Sequence, residues 1–365
     1  MRILVVNAGS SSLKLSLLDD ADRTLADVSL AIAGGEIDLD GVLSALSGPL
    51  GEADAVGHRI VHGGERFHSA VRIDDDVERA LRDLAELAPL HQRRSLAAFD
   101  AVNAAIGGVP AYACFDTAFH ATLPRSAATY ALPTRWRERW GLRRYGFHGL
   151  SHAWVARRAP QVLDADPRDL RIVSCHLGAG ASLCAITGGC SIDTTMGFTP
   201  LEGLVMATRS GSVDPGMLLW LLQHKNIAVG ELADALEHRS GLLGLAGSAD
   251  MREVLNRAER GEDAARLALD VYLHRLRAGI AAMTAALGGL DVLAFTGGIG
   301  ERSSEVRART AADLGFLGIA LDEAHNYDAG ADVDVATVGA PVRTLVIAAR
   351  EDLEIARQVR ALDGA

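Results

Sequence analysis

The feature that most constrains the fold is a segment that occurs twice in the chain. One copy begins at Arg2 and the other at Arg171, and each has an apolar run, a polar residue, a turn of small residues and a second apolar run. This order is typical of a β-hairpin with a short turn. Two unrelated hairpins could also produce this pattern, but the repetition favours two domains of one design. In each domain the small residues of the turn would expose backbone N–H groups that can bind an anion.

Helical and strand patterns alternate through the rest of the chain, which indicates the α/β class. Periodicity with a charged face predicts helices over 74–90, 252–269 and 351–362. Short apolar runs predict strands over 55–61, 111–115, 292–295 and 344–348. The length of 365 residues favours two domains, with one large α/β domain as the alternative.

Charge and cysteine usage exclude several classes of protein. The net charge of −11 argues against nucleic acid as a partner, because a phosphate backbone needs a basic surface. The cysteines form no C-x-x-C pair, which favours reduced thiols in a cytoplasmic protein. The first apolar run is a short strand rather than a signal peptide, and the apolar stretch 278–290 is too short to span a membrane.

Three segments rich in glycine or serine are candidates for holding phosphates. The chain has no G-x-x-x-x-G-K-[ST], so a P-loop is excluded, and no G-x-G-x-x-G follows the first strand, which disfavours a standard dinucleotide fold. The candidates are Asn7-Ala-Gly-Ser-Ser-Ser-Leu-Lys14, His176-Leu-Gly-Ala-Gly-Ala-Ser182 and Phe295-Thr-Gly-Gly-Ile-Gly-Glu301. Together they suit a nucleotide with its phosphates.

With these segments the chain resembles the acetokinase family, the acetate kinases, along nearly its whole length. Further matching motifs are Gly57-His-Arg-Ile-Val-His-Gly-Gly-Glu65, Phe115-Asp-Thr-Ala-Phe-His120, Arg144-Tyr-Gly-Phe-His-Gly149, Asp193-Thr-Thr-Met-Gly-Phe-Thr-Pro-Leu-Glu-Gly203 and Thr208-Arg-Ser-Gly211. The resemblance implies the fold of the acetate and sugar kinase, Hsc70 and actin superfamily. That fold has two duplicated RNase H-like (actin-like ATPase) domains with a nucleotide cleft between them.

The resemblance also implies where the domains lie. Residues 1–120 and 353–365 would form the N-terminal domain, which carries the acceptor and the catalytic aspartate and is closed by the C-terminal helix. Residues 121–352 would form the nucleotide-binding C-terminal domain. A homodimer is expected from the family alone.

The implied reaction is reversible transfer of the γ-phosphoryl group of ATP to acetate, giving acetyl phosphate and ADP. An arginine presents a planar fork that grips a carboxylate or a phosphate, and the resemblance places Arg59 on the substrate carboxylate and Arg209 on the phosphoryl group. It places His148 on the phosphoryl oxygens and Asp116 as the active-site acid. Because acetate is already ionised at pH 7, we expect Asp116 to position the acceptor or a metal-bound water.

Side chains for the substrate methyl, the nucleotide and the metal follow from the same resemblance. The apolar pocket for the methyl is implied at Val61, Leu90, Phe147 and Pro200, which taken singly are typical of core residues. The nucleotide positions are Lys14, His176, Leu177, Gly178, Ala179, Gly180, Asp250, Met251, Arg252, Gly297, Gly298, Ile299, Gly300 and Glu301. Mg²⁺, which Mn²⁺ can replace, is implied at Asn7 and Glu351.

The chain departs from the family pattern beside the nucleotide positions. Ala179, Arg302 and Arg350 stand where the family has asparagine, which bears on the choice of phosphoryl donor. Two alternatives stay open. One is a propionate or other short-chain acyl kinase, since a single methylene is discriminated weakly. The other is an ATP-binding module of the actin or chaperone kind, which would form no acyl phosphate.

Overall fold

The structure is a computed structural model that describes residues 1–9, 12–31, 38–84 and 89–364, without the side chains of residues 89–91. It divides into two compact units. Unit 1 comprises Met1–Ala121, Phe147–Trp154 and Arg350–Ala365, and unit 2 comprises Thr122–Gly146 and Val155–Ala349. The domain limits expected from the sequence stay a prediction, and unit 1 differs from them in including Phe147–Trp154.

Unit 1 contains a six-stranded sheet in the order β3-β2-β1-β4-β6-β5. Its strands are β1 (Ile3–Ala8), β2 (Ser12–Leu18), β3 (Thr24–Ala31), β4 (Ala55–Ile60), β5 (Val71–Arg72) and β6 (Ala111–Phe115). The first three strands form an antiparallel meander, whereas β4 is parallel to β1 and β6 is parallel to β4. The predicted strands over 55–61 and 111–115 are therefore confirmed as β4 and β6.

Unit 2 contains a sheet of the same design, in the order β11-β12-β10-β7-β8-β9. Its strands are β7 (Arg171–Leu177), β8 (Ala181–Thr187), β9 (Cys190–Thr194), β10 (Val292–Thr296), β11 (Val333–Asp334) and β12 (Arg343–Val346). Again the first three strands form a meander and the parallel strands β10 and β12 follow on the other side of the first strand. The repeated segment thus forms β1–β2 in one sheet and β7–β8 in the other, which confirms the predicted duplication.

Helices flank both sheets. In chain order they are α1 (Leu39–Leu46), α2 (Asp75–Asp83), α3 (Pro89–Ala105), α4 (Arg125–Ala128), α5 (Thr134–Trp140), α6 (Gly149–Leu163), α7 (Pro215–His224), α8 (Val229–His238), α9 (Gly241–Ala246), α10 (Met251–Glu259), α11 (Asp263–Leu287), α12 (Gly297–Arg302), α13 (Ser304–Ala312), α14 (Glu323–Tyr327) and α15 (Glu351–Asp363). Among the described residues, none of these helices is long and apolar enough to cross a bilayer.

Alternation along β1 explains how the sheet of unit 1 is covered on both faces. Leu4 and Val6 join one buried cluster, with side chains of α1 and α3, while Ile3 and Val5 join another, with side chains of α15. Successive side chains of a strand point to opposite faces, so an entirely apolar strand needs cover on both. The predicted helix over 351–362 is confirmed as α15, which covers the second face.

Two predicted helices differ from the structure. The helix expected over 252–269 is two helices, because α10 ends at Glu259 and α11 begins at Asp263. Gly261 lies between them with φ of 90°, in the left-handed region that a continuing helix does not adopt. The helix expected over 74–90 corresponds to α2, which ends at Asp83, and residues 85–88 of that span lie outside the described residues.

Candidate active site

Three parallel strands of unit 1 bring polar side chains to one edge of the sheet. Asn7 lies near the end of β1, Arg59 near the end of β4, and Asp116 directly follows β6. The backbone N–H of Asp116 donates to the carbonyl oxygen of Ile60 at 3.0 Å, which extends the β4–β6 pairing to the site. The carboxyl ends of parallel strands are the usual place for ligands in open α/β sheets.

The guanidinium of Arg59 binds the carboxylate of Asp116 along one side. Arg59 Nε lies 3.0 Å from Oδ2 and 3.2 Å from Oδ1, and Nη2 lies 2.7 Å from Oδ2. Arg59 Nη1 donates to Oδ1 of Asn7 at 3.0 Å. A guanidinium has five N–H donors, so these bonds leave two for a further acceptor.

Burial makes this pair electrostatically strong. The side chains of Arg59 and Asp116 are 13% and 2% exposed. Burial raises the pKa of Asp116, and the charge and hydrogen bonds of Arg59 oppose that rise. Burial also lowers the pKa of Arg59, but the carboxylates of Asp116 and Glu351 outweigh it and raise that pKa overall. The guanidinium therefore stays charged at any working pH.

Glu351 adds a second carboxylate beside this pair. It opens α15, and its Oε2 accepts a hydrogen bond from Nδ2 of Asn7 at 3.1 Å. The site thus carries two carboxylates and one guanidinium, a net negative charge that favours a cation.

The oxygen atoms at this edge are of the type that Mg²⁺ binds when water and substrate phosphates complete its coordination shell. No group of three His, Cys, Asp or Glu side chains in the described ranges is arranged to hold a metal alone. Mg²⁺ does not need such a cage, because it binds one or two carboxylates and completes its shell with water and substrate phosphates. The Asn7 amide oxygen and the Glu351 carboxylate, for which the family resemblance implies a metal, are of that hard type.

The backbone around His148 is strained and fixed against the Asp116 loop. His148 has φ of 55°, in the left-handed region that few residues other than glycine adopt. The N–H of the following residue, Gly149, donates to the carbonyl oxygen of Asp116 at 2.8 Å. A Cβ on Gly149 would lie 2.1 Å from that oxygen, so the close approach requires glycine. Such strain at a site is a reason to infer function.

Of the four residues predicted to form the apolar pocket, two lie in unit 1 with described side chains. Val61 follows β4 and Phe147 precedes His148, and they are 6% and 1% exposed. The His62 ring packs edge-on against Phe147 with centroids 5.5 Å apart. The side chain of Leu90 lies outside the described residues, and Pro200 belongs to unit 2.

In unit 2, two glycine-rich turns begin at one edge of the sheet. His176 on β7 pairs with Thr296 on the parallel strand β10, so the turns after both strands are neighbours. The N–H of Gly178 donates to the carbonyl oxygen of Gly180 at 2.9 Å, which closes the first turn. Gly297 has φ of 77°, and a Cβ there would lie 2.8 Å from the carbonyl oxygen of Leu177. The structure therefore brings together the predicted nucleotide positions over 176–180 and 297–301.

Arg209 is held within unit 2 by partners that the sequence analysis missed. Its Nε lies 3.5 Å from Oε2 of Glu237, and its Nη1 donates to the carbonyl oxygen of Pro200 at 3.1 Å. Glu202 lies in the same loop as Pro200, where its carboxylate accepts from Arg144 at 2.7 Å and from the Tyr130 hydroxyl at 2.5 Å. Arg144 and Glu202 do stand inside matched motifs, whereas Glu237 carries no local signal.

The remaining predicted nucleotide residues have local roles in the structure. Lys14 is exposed on β2, opposite Asn7 in the β1–β2 register. Asp250 caps the N-terminus of α10 by accepting from the N–H of Arg252, and the Arg252 guanidinium also donates to it. Met251 is 4% exposed. Capping explains the Asp250–Arg252 pair, and the assignment of these residues to the nucleotide stays a prediction.

Comparison with known proteins gives consistent matches. Residues 38–357 match the model of the acetokinase family. The chain is 44% identical to the acetate kinase of Trichormus variabilis over 98% of each protein, and 42% identical to that of Acetivibrio thermocellus over 99% of each.

Solved structures agree with these sequence matches. The crystal structure of Porphyromonas gingivalis acetate kinase superposes with a TM-score of 0.89 at 35% identity, and a propionate kinase from Francisella tularensis with 0.91 at 33%. Each match covers 99% of both chains. The predicted α/β class with duplicated RNase H-like domains is confirmed.

Proposed function

Because the chain belongs to the acetokinase family, we propose that it transfers the γ-phosphoryl group of ATP reversibly to acetate, giving acetyl phosphate and ADP by direct in-line transfer. The observation that carries this proposal is the Arg59–Asp116 pair at the sheet edge of unit 1, with two N–H donors of the guanidinium left for an acceptor carboxylate.

In this proposal Arg59 binds the acceptor and Asp116 orients Arg59. Acetate is ionised at neutral pH, so its oxygen can attack phosphorus without losing a proton. The reaction therefore needs no general base. Asp116 instead fixes the plane of the guanidinium through its Nε and Nη2 donors. A fixed fork aligns the attacking oxygen, and such alignment supplies much of the rate in phosphoryl transfer.

The phosphoryl group is proposed to be stabilised by the remaining predicted residues. The Arg209 guanidinium and the His148 ring would donate to oxygens on which charge develops in the transition state. His176 and backbone N–H groups of the turns 176–180 and 297–301 would hold the nucleotide phosphates. The supporting observation is that Arg209 is oriented by its contacts to Glu237 and Pro200.

Mg²⁺, with Mn²⁺ as a substitute, is proposed to be held by Asn7 and Glu351. When bound, the ion would neutralise charge on the donor phosphates. Asn7 connects the proposed acceptor-binding Arg59 to the proposed metal ligand Glu351, since its amide oxygen accepts from Arg59 and its amide nitrogen donates to Glu351. The reaction is proposed to take place in the cytoplasm.

ATP is proposed as the phosphoryl donor despite the departures from the family pattern. Arg302 lies beside the second glycine turn, with Nη2 at 3.1 Å from the position a Cβ would take on Gly298. Arg350 pairs with Asp352 at 2.8 Å. Arg302 therefore adds a cation next to the proposed phosphate site, which offsets the side-chain donor that is absent at Ala179.

A hydroxylamine assay tests the proposed function. With Mg-ATP and acetate we expect hydroxamate from trapped acetyl phosphate, and with propionate a value of kcat/KM lower by roughly 10- to 200-fold, the usual discrimination of one methylene. The structural match to a propionate kinase makes propionate the second candidate acceptor. A higher kcat/KM for propionate would replace the acetate assignment, and hydrolysis of ATP without any hydroxamate would favour an ATP-binding module.

A homodimer is proposed to form through α7. This helix is strongly apolar, yet none of its residues is buried, and Met217, Leu219 and Trp220 are 44%, 55% and 46% exposed. An apolar helix face of this kind is typical of a surface that another protein covers. A second copy of the chain is the partner that the family implies.

Light scattering after size exclusion tests this surface. We expect twice the monomer mass for the wild type and the monomer mass for the double variant Leu219→Glu/Trp220→Glu, because two carboxylates oppose burial of the helix. Phe316→Glu is the matched control, since Phe316 is also apolar and is 77% exposed, and it should remain dimeric. A monomeric wild type, or a dimeric double variant, would contradict the proposal.

A further inference from the structure

Arg307 is a buried arginine that the sequence does not distinguish from its neighbours. It lies in α13 and is only 1% exposed. None of its hydrogen-bond partners in the described chain is a carboxylate, and burial lowers its pKa. A buried cation without a counter-charge costs free energy, whereas an apolar side chain would fill the same volume without that cost. What distinguishes arginine from an apolar residue at this position is the set of hydrogen bonds that its guanidinium makes.

The guanidinium joins two pieces of chain. Towards α14, Nε donates to Oδ1 of Asn326 at 2.7 Å and Nη2 to its carbonyl oxygen at 2.6 Å. Towards α12, Nη1 donates to the carbonyl oxygens of Gly300 at 2.9 Å and Glu301 at 2.7 Å. Asn326 is itself 3% exposed and donates to the carbonyl oxygen of Ser304 at 2.9 Å. Arg307 thus connects the end of α12 to the buried Asn326 in α14.

The carbonyl groups that Arg307 binds would otherwise have no partner within their helix. The last carbonyls of a helix have no intrahelical donor, and α12 has only six residues, so its final turn depends on outside groups. Hydrogen bonds from a charged donor are about twice as strong as neutral ones. Other contacts of α12 include Gly297 against Leu177, Gly300 against Phe295 and Cys175, and the Glu301 side chain, which accepts from the N–H of Ala349 at 3.1 Å.

We propose that Arg307 is a positioning residue for the phosphoryl donor. By binding the Gly300 and Glu301 carbonyl oxygens, it fixes the glycine turn over 297–301 so that the backbone N–H groups of the turn keep their direction when the nucleotide binds. The proposal rests on the proposed function, in which this turn holds the nucleotide. Arg307 acts through the turn and does not itself contact the nucleotide.

Arg307→Met and Arg307→Lys test the proposal, with Arg171→Met as the matched control. Arg171 also bonds a backbone carbonyl, that of Gly288, and pairs with Asp291, but it lies at the opposite, amino-terminal end of β7. We expect Arg307→Met to raise KM for ATP about tenfold, as expected for lost bonds to a charged donor. Arg307→Lys should show a smaller rise, and KM for acetate should be unchanged in both variants.

Protection from thermal unfolding by Mg-ADP provides a readout that is independent of catalysis. We expect Arg307→Met to need a higher Mg-ADP concentration for the same rise in Tm, and Arg171→Met to lower Tm while keeping the wild-type response. Arg307 variants that lose stability but keep the KM for ATP and the Mg-ADP response would overturn the proposal. So would equal increases in KM for ATP and acetate.

Two further measurements keep the outcome decisive. If Arg307→Met does not fold, Arg307→Lys and Asn326→Ala test the proposal instead. Each removes some of the hydrogen bonds between Arg307 and its partners and leaves the side chains of the turn over 297–301 unchanged. If the wild type makes no acetyl phosphate, the proposed function fails while the Mg-ADP response still tests Arg307. A wild type that Mg-ADP does not protect at all would overturn the inference together with its premise.

Discussion

Arg59→Ala is expected to abolish most phosphorylation of acetate while KM for ATP stays near its wild-type value. In the proposed complex the Arg59 guanidinium and the acetate carboxylate form a buried, hydrogen-bonded charge pair. Removing one partner of such a pair costs about 2–5 kcal/mol, so kcat/KM for acetate should fall by roughly 30- to 5,000-fold. The measurement is steady-state kinetics with each substrate varied in turn. A parallel loss of ATP binding would show that Arg59 does not serve the acceptor alone.

The same variant should also be less stable, because Asp116 would remain as a carboxylate that is only 2% exposed, without its guanidinium. Breaking a buried pair in this way costs about 3–5 kcal/mol. Arg59→Lys separates the two effects. A lysine retains the positive charge, so stability should be largely kept, but it lacks the planar fork, so acetate use should still fall.

The stability deficit of Arg59→Ala should depend on pH. Burial raises the folded-state pKa of Asp116, and the opposing influence of Arg59 is gone in the variant. A carboxyl with a raised folded pKa contributes its full stability below its unfolded pKa of about 4 and loses it as pH rises through the folded pKa. Denaturant unfolding should therefore give a smaller deficit at low pH than at pH 8. A deficit that grows on acidification would contradict this electrostatic account.

The strands of the two repeated hairpins and β4, β6, β10 and β12 could be predicted because their signal is local, whereas β3, β5, β9 and β11 were not predicted. Apolar runs such as β4 and β6 carry their pattern within five or six residues, and the repeated hairpin indicated that two sheets share one design. The break at Gly261 was also present in the sequence. It was missed because the apolar periodicity of α10 continues in phase into α11, and a single glycine is often tolerated in a helix.

The partners of the site residues could not be predicted, because they come from distant parts of the chain. The order β1-β4-β6 in the sheet sets Asn7, Arg59 and Asp116 together, and no local pattern specifies which strands are neighbours. Motif resemblance identified Arg59 and Asp116 separately but not their pairing. Arg307 and Glu237 are harder still. Glu237 stands in no matched motif, and in a chain rich in arginine a buried arginine is indistinguishable from a solvated one until its environment is known.

Gly149→Ala is expected to have the second large effect, through geometry rather than charge. Its Cβ would lie 2.1 Å from the carbonyl oxygen and 3.0 Å from the carbonyl carbon of Asp116, and backbone atoms cannot rotate away as a flexible side chain can. The chain must therefore shift at Asp116 or at His148. A displacement of about 1 Å in a catalytic group costs on the order of 10²-fold in rate, so kcat should fall by about that factor.

Gly279→Ala is the matched control, because a Cβ at Gly279 in α11 would also meet an atom too closely, Cδ1 of Leu183 at 2.7 Å. Leu183 Cδ1 is the end of a flexible side chain that can shift, and alanine is favoured over glycine inside a helix by about 1 kcal/mol. This variant should therefore change Tm little, while kcat per folded molecule stays at the wild-type level. Equal kcat values for the two variants would mean that the Gly149–Asp116 contact serves packing only. A loss of kcat confined to Gly149→Ala would support the proposal that the backbone at His148 holds the proposed catalytic side chains in register.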